Sequence, residues 1–368
     1  MLTRGDDYPI HQTPEPIAYA GTDRNFYDRY FFNGYARDGH LFFAAALGVY
    51  PQLNVMDASF CFLFDDRQYN LHASRVLGME RMDTRVGPVA VEVVEPLRRL
   101  RVVVDENDYG LRADIRFQGR TRAVEEPPFL YRIGPRTIMN YTRLTQNGTW
   151  SGWIELAGRR FDLNDEGFWG TRDRSWGIRP VGVSDPQPVV PPALPQFYWL
   201  WAPLNFEDGA SLYDVNTDAA GRPWHRSAVW APLGDGATEE MASSESRLAF
   251  KSGTRHARSA ELIFHPGNRP ATRIRLDPSF NFYMTGLGYL NPEWGHGYFK
   301  GEQAVGFDVL DLKTLDESDL RHLHVQAFCE ALMTDGEGRE KRGVGVLEQM
   351  IIGPHEPSGF KDLFDPAD

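Results

Sequence analysis

Along most of the chain, apolar and polar side chains alternate every second residue over short stretches, and Gly, Pro, Asn or Asp ends each stretch. That period belongs to a β-strand with one covered face, whereas windows with the helical spacing i, i+3, i+4, i+7 are scarce. Over residues 111–117, Leu111, Ala113, Ile115 and Phe117 alternate with Arg112, Asp114 and Arg116. The apolar run 100–104 precedes them, and the turn-forming stretch 106–110 lies between, so the two predict a hairpin. A tight hairpin follows over 153–156 and 160–163. The second half repeats the style with pairs at 211–216 and 225–231, 260–265 and 272–276, and 324–333 and 342–352. Residues 311–320 are polar enough for a loop or a short surface helix. The expected fold is all-β, built from antiparallel sandwiches or barrels.

Residues 185–195 hold five prolines in eleven positions, which cannot join a sheet ladder and predict a stiff linker. A chain of 368 residues is long for one domain. The expected division is an N-terminal β-domain at 1–185, a linker at 186–195 and a C-terminal β-domain at 196–368.

Charge removes several partners. With 39 basic against 51 acidic residues the net charge is −12, which lacks the cationic footprint of a nucleic-acid binder and disfavours docking on anionic membranes. The longest apolar stretch, residues 41–50, is too short to span a bilayer. The opening MLTRGDDYPIHQTPEP has no apolar signal-peptide core, so a cytoplasmic location is expected. Cys61 and Cys329 sit in apolar strand-like runs and read as small buried hydrophobes. Only five lysines occur, none before Lys251, which leaves little for Schiff-base chemistry.

Phosphate-loop, dinucleotide, nucleophile-elbow and paired-cysteine motifs are missing, so no cofactor and no metal are expected. His322 and His324 would share a strand face, but with no further ligand nearby in sequence they read as polar residues at a strand entrance. Two segments concentrate costly residues. The first, 167–180, places Asp173 between Arg172 and Arg174 and adds Trp176. It fits either an ion-pair network closing a barrel or a buried general acid. The second, 291–302, interleaves Glu293, His296 and Lys300 with Trp294, Tyr298 and Phe299. Aromatic runs at 197–201 (Tyr198, Trp199, Trp201) and 281–285 (Tyr283), with His225 nearby in the second half, suit core or the lining of a pocket for a flat apolar ligand. Residues 24–32 add a comparable Arg and Tyr mixture.

The runs RDRSWGIR at 172–179 and PEWGHG at 292–297 resemble those of the AttH-like/hydroxyneurosporene-synthase group. That group includes carotenoid 1,2-hydratases, with tocopherol cyclases and lipocalin-type Diels–Alderases as distant members. The resemblance implies two lipocalin-like (calycin) β-barrels packed together and a cofactor-independent reaction on an apolar substrate. It also implies Asp173 as acid or base, positioned by Arg172 and Arg174, with His225 and His296 to relay a proton or activate water; Glu293 is a further catalytic candidate from the 291–302 segment. Trp176, Tyr198, Trp199, Trp201, Tyr283, Trp294 and Lys300, with the two arginines, would bind substrate. The expected activity is that of a lyase on an aromatic or isoprenoid small molecule: hydration or dehydration, cyclisation, or C–C cleavage releasing a small carbonyl. The alternative is a carrier that binds an apolar ligand without chemistry. Self-association into a homodimer is compatible with either.

Overall fold

In a computed structural model, which describes residues 4–10, 19, 21–184, 187 and 195–368, the alternating stretches become strands. All five expected hairpins form, as antiparallel pairs. The helical elements among the described residues are 3-10 turns of three or four residues, and the polar stretch after Asp311 is mostly turn. No helix among the described residues is long and apolar enough to cross a membrane. Most of the expected linker at 186–195 lies outside the described residues.

Two compact units divide the chain: Met1–Ser184 with Thr285–Leu315, and Asp185–Met284 with Asp316–Asp368. The first unit thus takes in a segment that a single division at the proline-rich stretch assigns to the second half. The tie is a strand, Gln303–Asp311, which pairs along its whole length with Arg67–Val76.

The first unit holds a nearly closed antiparallel sheet of 14 strands. Its first four strands in chain order are also neighbours in the sheet: β1 (Phe26–Ala36), β2 (Phe42–Tyr50), β3 (Val55–Phe64) and β4 (Arg67–Val76). The order runs Gln303–Asp311, β4, β3, β2, β1, Phe168–Ile178, then Arg136–Leu156. Alternation sends Tyr30, Phe32, Phe43, Ala45, Leu47, Phe60, Phe62 and Leu71 to one face, where they form an apolar core with Trp150 and Phe117. The other face is polar yet covered: Arg29, Gln68, Asn70, His72 and Ser74 are all buried. Each buried polar group needs a partner, which makes this face a place of dense hydrogen bonding.

The second unit is a ten-stranded antiparallel sheet centred on Phe197–Trp201, Glu340–Ile352 and Val325–Thr334. Leu200, Leu204, Tyr213, Leu262, Ile274, Cys329 and Leu347 form its core. It too has a buried polar face, carrying Asp214, His225, His324, Gln326 and Glu348.

Candidate functional site

On the polar face of the first unit, pairing aligns residues into rows across the strands. One row runs Arg29, Gly48, Asp57, Ser74; the next runs Asp173, Phe31, Ala46, Ser59, His72, Gly306. Asp57 is the unusual member, a carboxylate among small side chains. Its Oδ1 accepts from the Tyr50 hydroxyl at 3.2 Å and its Oδ2 from the Gly297 backbone N–H at 2.7 Å. Gly48, opposite Asp57, makes the first bond possible, because a Cβ there would come within 2.3 Å of the Tyr50 hydroxyl oxygen. Burial pushes the Asp57 carboxyl up to about 6, against the Gly297 and Tyr50 hydrogen bonds and the charges of Arg29 and Arg179. It therefore exchanges its proton near neutral pH.

Arginines and rings surround it. Arg29 donates to the Tyr289 hydroxyl at 2.6 Å and to the Leu287 carbonyl at 3.2 Å. The Arg179 guanidinium lies 4.4 Å above the Tyr27 ring. His296 donates from Nε2 to the Leu287 carbonyl at 2.9 Å, which leaves Nδ1 to accept from Arg179 at 3.4 Å. Its ring meets that of Tyr289 edge-on, with centroids 4.3 Å apart.

Beside Asp57 lies a cavity of about 10 Å³, lined by Asp57, Ser59, His72, Ser74 and Trp294 among others. His72 is held from both sides. Its Nε2 is 2.7 Å from Asp308, whose other oxygen accepts from Asn70 at 2.7 Å. Burial raises the Asp308 carboxyl, but the hydrogen bonds from His72 and Asn70 outweigh burial and hold it below its usual value. The Trp294 indole stacks on the His72 ring at 5.4 Å, and Gly306 clears its place, since a Cβ there would sit 2.3 Å from the indole.

The residues singled out in sequence fall into three groups. Trp294 and His296 join this constellation; Lys300 lies 4.9 Å over the Trp294 ring, and Glu293 is an exposed turn residue whose N–H donates to Asn291. Asp173 shares the polar face and lies close enough to Tyr27 to act on its phenol, which burial above all pushes up to about 12. Three strand steps separate Asp173 from Asp57, about 14 Å at ~4.8 Å per strand, so the two share no proton. Arg172 and Arg174 do not position Asp173. Successive side chains on a strand point to opposite faces, and both guanidiniums enter the barrel interior, fully buried. Arg172 pairs with Asp7 at 2.5 Å; Arg174 pairs with Asp28 and covers the Tyr30 ring at 4.0 Å. Trp176, in the same strand, is half-buried.

The third group belongs to the second unit. His225 is 2.7 Å from Asp214, both buried. Trp199 donates from its indole N–H to Glu348 at 3.0 Å; the same carboxylate meets His324 at 2.8 Å and Gln326 at 2.6 Å. His324 is thus a carboxylate partner on a strand entrance. Trp201 is buried on this face, whereas Tyr198 turns into the core and stacks on His355 at 4.0 Å. Tyr283 bonds Glu317 at 3.3 Å. At the far end of this unit a cavity of about 330 Å³ has Trp230, Met241, Phe264 and Met333 in its wall and Arg269 and Arg339 among its polar lining.

Sequence reading missed Asp57, Tyr50, His72 and Asp308. The available signal was the alternation Gln68, Asn70, His72, Ser74 against Tyr69, Leu71, Ala73. Such a pattern ordinarily marks a solvated face, and it cannot tell water from covering protein.

No curated protein matches the chain. Among solved structures, kievitone hydratase from Nectria haematococca matches with a TM-score of 0.52 and 11 % identity, over 88 % of this chain and 88 % of that one. CghA matches with a TM-score of 0.50 and 11 % identity, over 90 % and 89 %. At that identity the likeness establishes a shared fold, in keeping with the two-barrel architecture that the RDRSWGIR and PEWGHG runs imply. A family model matches residues 2–361, and the chain belongs to that family, the family of unknown function DUF8625.

Proposed function

We propose that the chain is a cofactor-independent lyase of the hydratase or cyclase type, acting on an apolar aromatic or isoprenoid small molecule, with Asp57 as the initiating acid. The observation that carries this reading is a carboxyl pushed up to about 6 by burial, hydrogen-bonded at both oxygens and set among aromatic rings. A general acid works best with a pKa near the working pH. On proton transfer to a substrate alkene, Tyr50, the Gly297 N–H and the two arginines stabilise the carboxylate left behind. The Trp294 indole, in the wall of the cavity beside Asp57, gives the site an apolar side. Capture by water gives a hydrate, capture by an internal nucleophile a ring, and loss of a different proton an isomer. The name of the fold neighbour kievitone hydratase agrees with this class.

The test is turnover of a panel of prenylated phenols, polyenes and lignin-type phenolic dimers in chelated, cofactor-free buffer, followed by mass spectrometry. Products isomeric with substrate, or one water heavier, are expected. Asp57→Asn should lower the rate by about 10²-fold or more, while Asp173→Asn retains it. The reverse pattern assigns the acid to Asp173. A second reading, ligand carriage without chemistry, draws on the 330 Å³ cavity of the second unit, within the ~300–1,000 Å³ of small-molecule sites. Tight binding with no turnover across the panel would favour it.

A further inference from the structure

We propose that the Asp308–His72 pair holds a water molecule in the cavity beside Asp57 and accepts its proton as that water adds to substrate, which makes the chain a hydratase. The inference rests on the reading of Asp57 as the acid, and deepens it by naming the base and the co-substrate. Asp308 accepts the hydrogen on His72 Nε2. In the neutral ring, Nδ1 is then the bare acceptor. That Nδ1 is buried and has no hydrogen-bond partner, in a side chain only 1 % exposed. An acceptor left unpaired in such a place is costly, and one water molecule would satisfy it.

The cavity that His72 lines has the size for the answer. Its 10 Å³ is room for one water, which needs ~10–15 Å³ and two to four polar partners. Asp57 and Ser59 offer those partners. Ser59 faces His72 across the β3–β4 pair, and Asp57 is the diagonal neighbour of His72. Diagonal positions lie ~7–8 Å apart at the backbone; Asp57 and His72 bond other partners, and one water can bridge them. Trp294 on the ring and Asn70 on Asp308 keep the imidazole from turning away.

The step balances. Asp57 gives its proton to one alkene carbon, forming a C–H bond from the π pair and a cation at the other carbon. The water oxygen forms the C–O bond, and its proton passes to His72 Nδ1. The imidazolium rests against the Asp308 carboxylate until that proton returns to Asp57. The sum is alkene plus water giving alcohol, with no oxidant or reductant.

Two measurements on the whole chain test this. The first needs no substrate: a crystal structure at high resolution, with ¹⁵N spectra of the imidazoles assigned through His72→Gln. An ordered water within ~2.7–3.2 Å of Nδ1 and of Asp57 or Ser59, with the proton on Nε2, is expected. A dry cavity, or a proton resting on Nδ1, overturns the proposal. Asp308→Asn serves where His72→Gln does not fold, and should shift the ring toward a tautomer mixture. The second is the cofactor-free panel run in H₂¹⁸O and in D₂O. His72→Gln should lose ¹⁸O incorporation by about tenfold or more yet keep deuterium incorporation at carbon, whereas Asp57→Asn loses both. Full ¹⁸O incorporation in His72→Gln sinks the base alone; deuterium incorporation surviving in Asp57→Asn sinks the acid reading beneath it.

Discussion

Replacing Asp57 by Asn should make the protein more stable, and more so as pH rises. Asn keeps the shape, accepts from the Gly297 N–H through its one oxygen and can donate to the Tyr50 hydroxyl oxygen, but it never ionises. In the wild type the folded-state value of about 6 stands some two units above the ordinary carboxyl value of 3.8. At 1.36 kcal/mol per unit that shift is worth about 3 kcal/mol. The folded state binds the proton more tightly than the unfolded chain between about pH 4 and 6. Wild-type stability therefore falls relative to the variant through that window, and the deficit is complete above it. Urea unfolding of both proteins at a series of pH values from 4 to 8 measures the difference directly, since all other titrations cancel. The gap should open from its value at pH 4 by about 2.5 kcal/mol at pH 8. A gap that stays constant within ~0.5 kcal/mol, the usual spread of a neutral surface change, would show that Asp57 carries no raised pKa.

Three further outcomes are expected from the packing around it. Arg174→Met should destabilise the first unit by about 3–5 kcal/mol, because it strands the buried Asp28 carboxylate, and adding Asp28→Leu should recover most of that loss; chemical denaturation of the two variants checks this, and a single-variant loss below ~1 kcal/mol would contradict the ion pair. Gly48→Ala should drive the Tyr50 hydroxyl off Asp57 and raise the Asp57 midpoint by about one unit in a ¹³C carboxyl titration, a hydrogen bond to a charged group being worth ~1.5–3 kcal/mol. Gly306→Ala should push the Trp294 indole off His72, seen as a changed tryptophan emission, at a stability cost of about 1–3 kcal/mol.

How much of the fold and the site was legible in sequence has a physical explanation. Strand alternation fixed the hairpins because a side-chain period of two is written locally, residue by residue. The PEWGHG run led to Trp294 and His296 because a glycine-rich stretch dense in rings and titratable groups is costly wherever it folds. The RDRSWG run misled in part. Adjacent charges look like one cluster in sequence, yet on a strand Arg172 and Arg174 face the interior while Asp173 faces the other way. Asp57 and Asp308 were hidden for a different reason. Each is an ordinary acid in an ordinary strand, and only long-range pairing brings Tyr50, Gly297 and His72 to them. Nor does composition announce that residues 303–311 cross into the first unit, since any strand with the right alternation can complete a sheet edge.

The proposed reaction starts with the proton on Asp57. Its most direct test is the pH dependence of turnover on the first compound that the cofactor-free panel identifies. If Asp57 is the acid, the rate falls tenfold per unit above about pH 6, and that limb disappears together with most of the activity in Asp57→Asn. A rate that rises through that range, or one that Asp57→Asn leaves untouched, would show that Asp57 is not the acid.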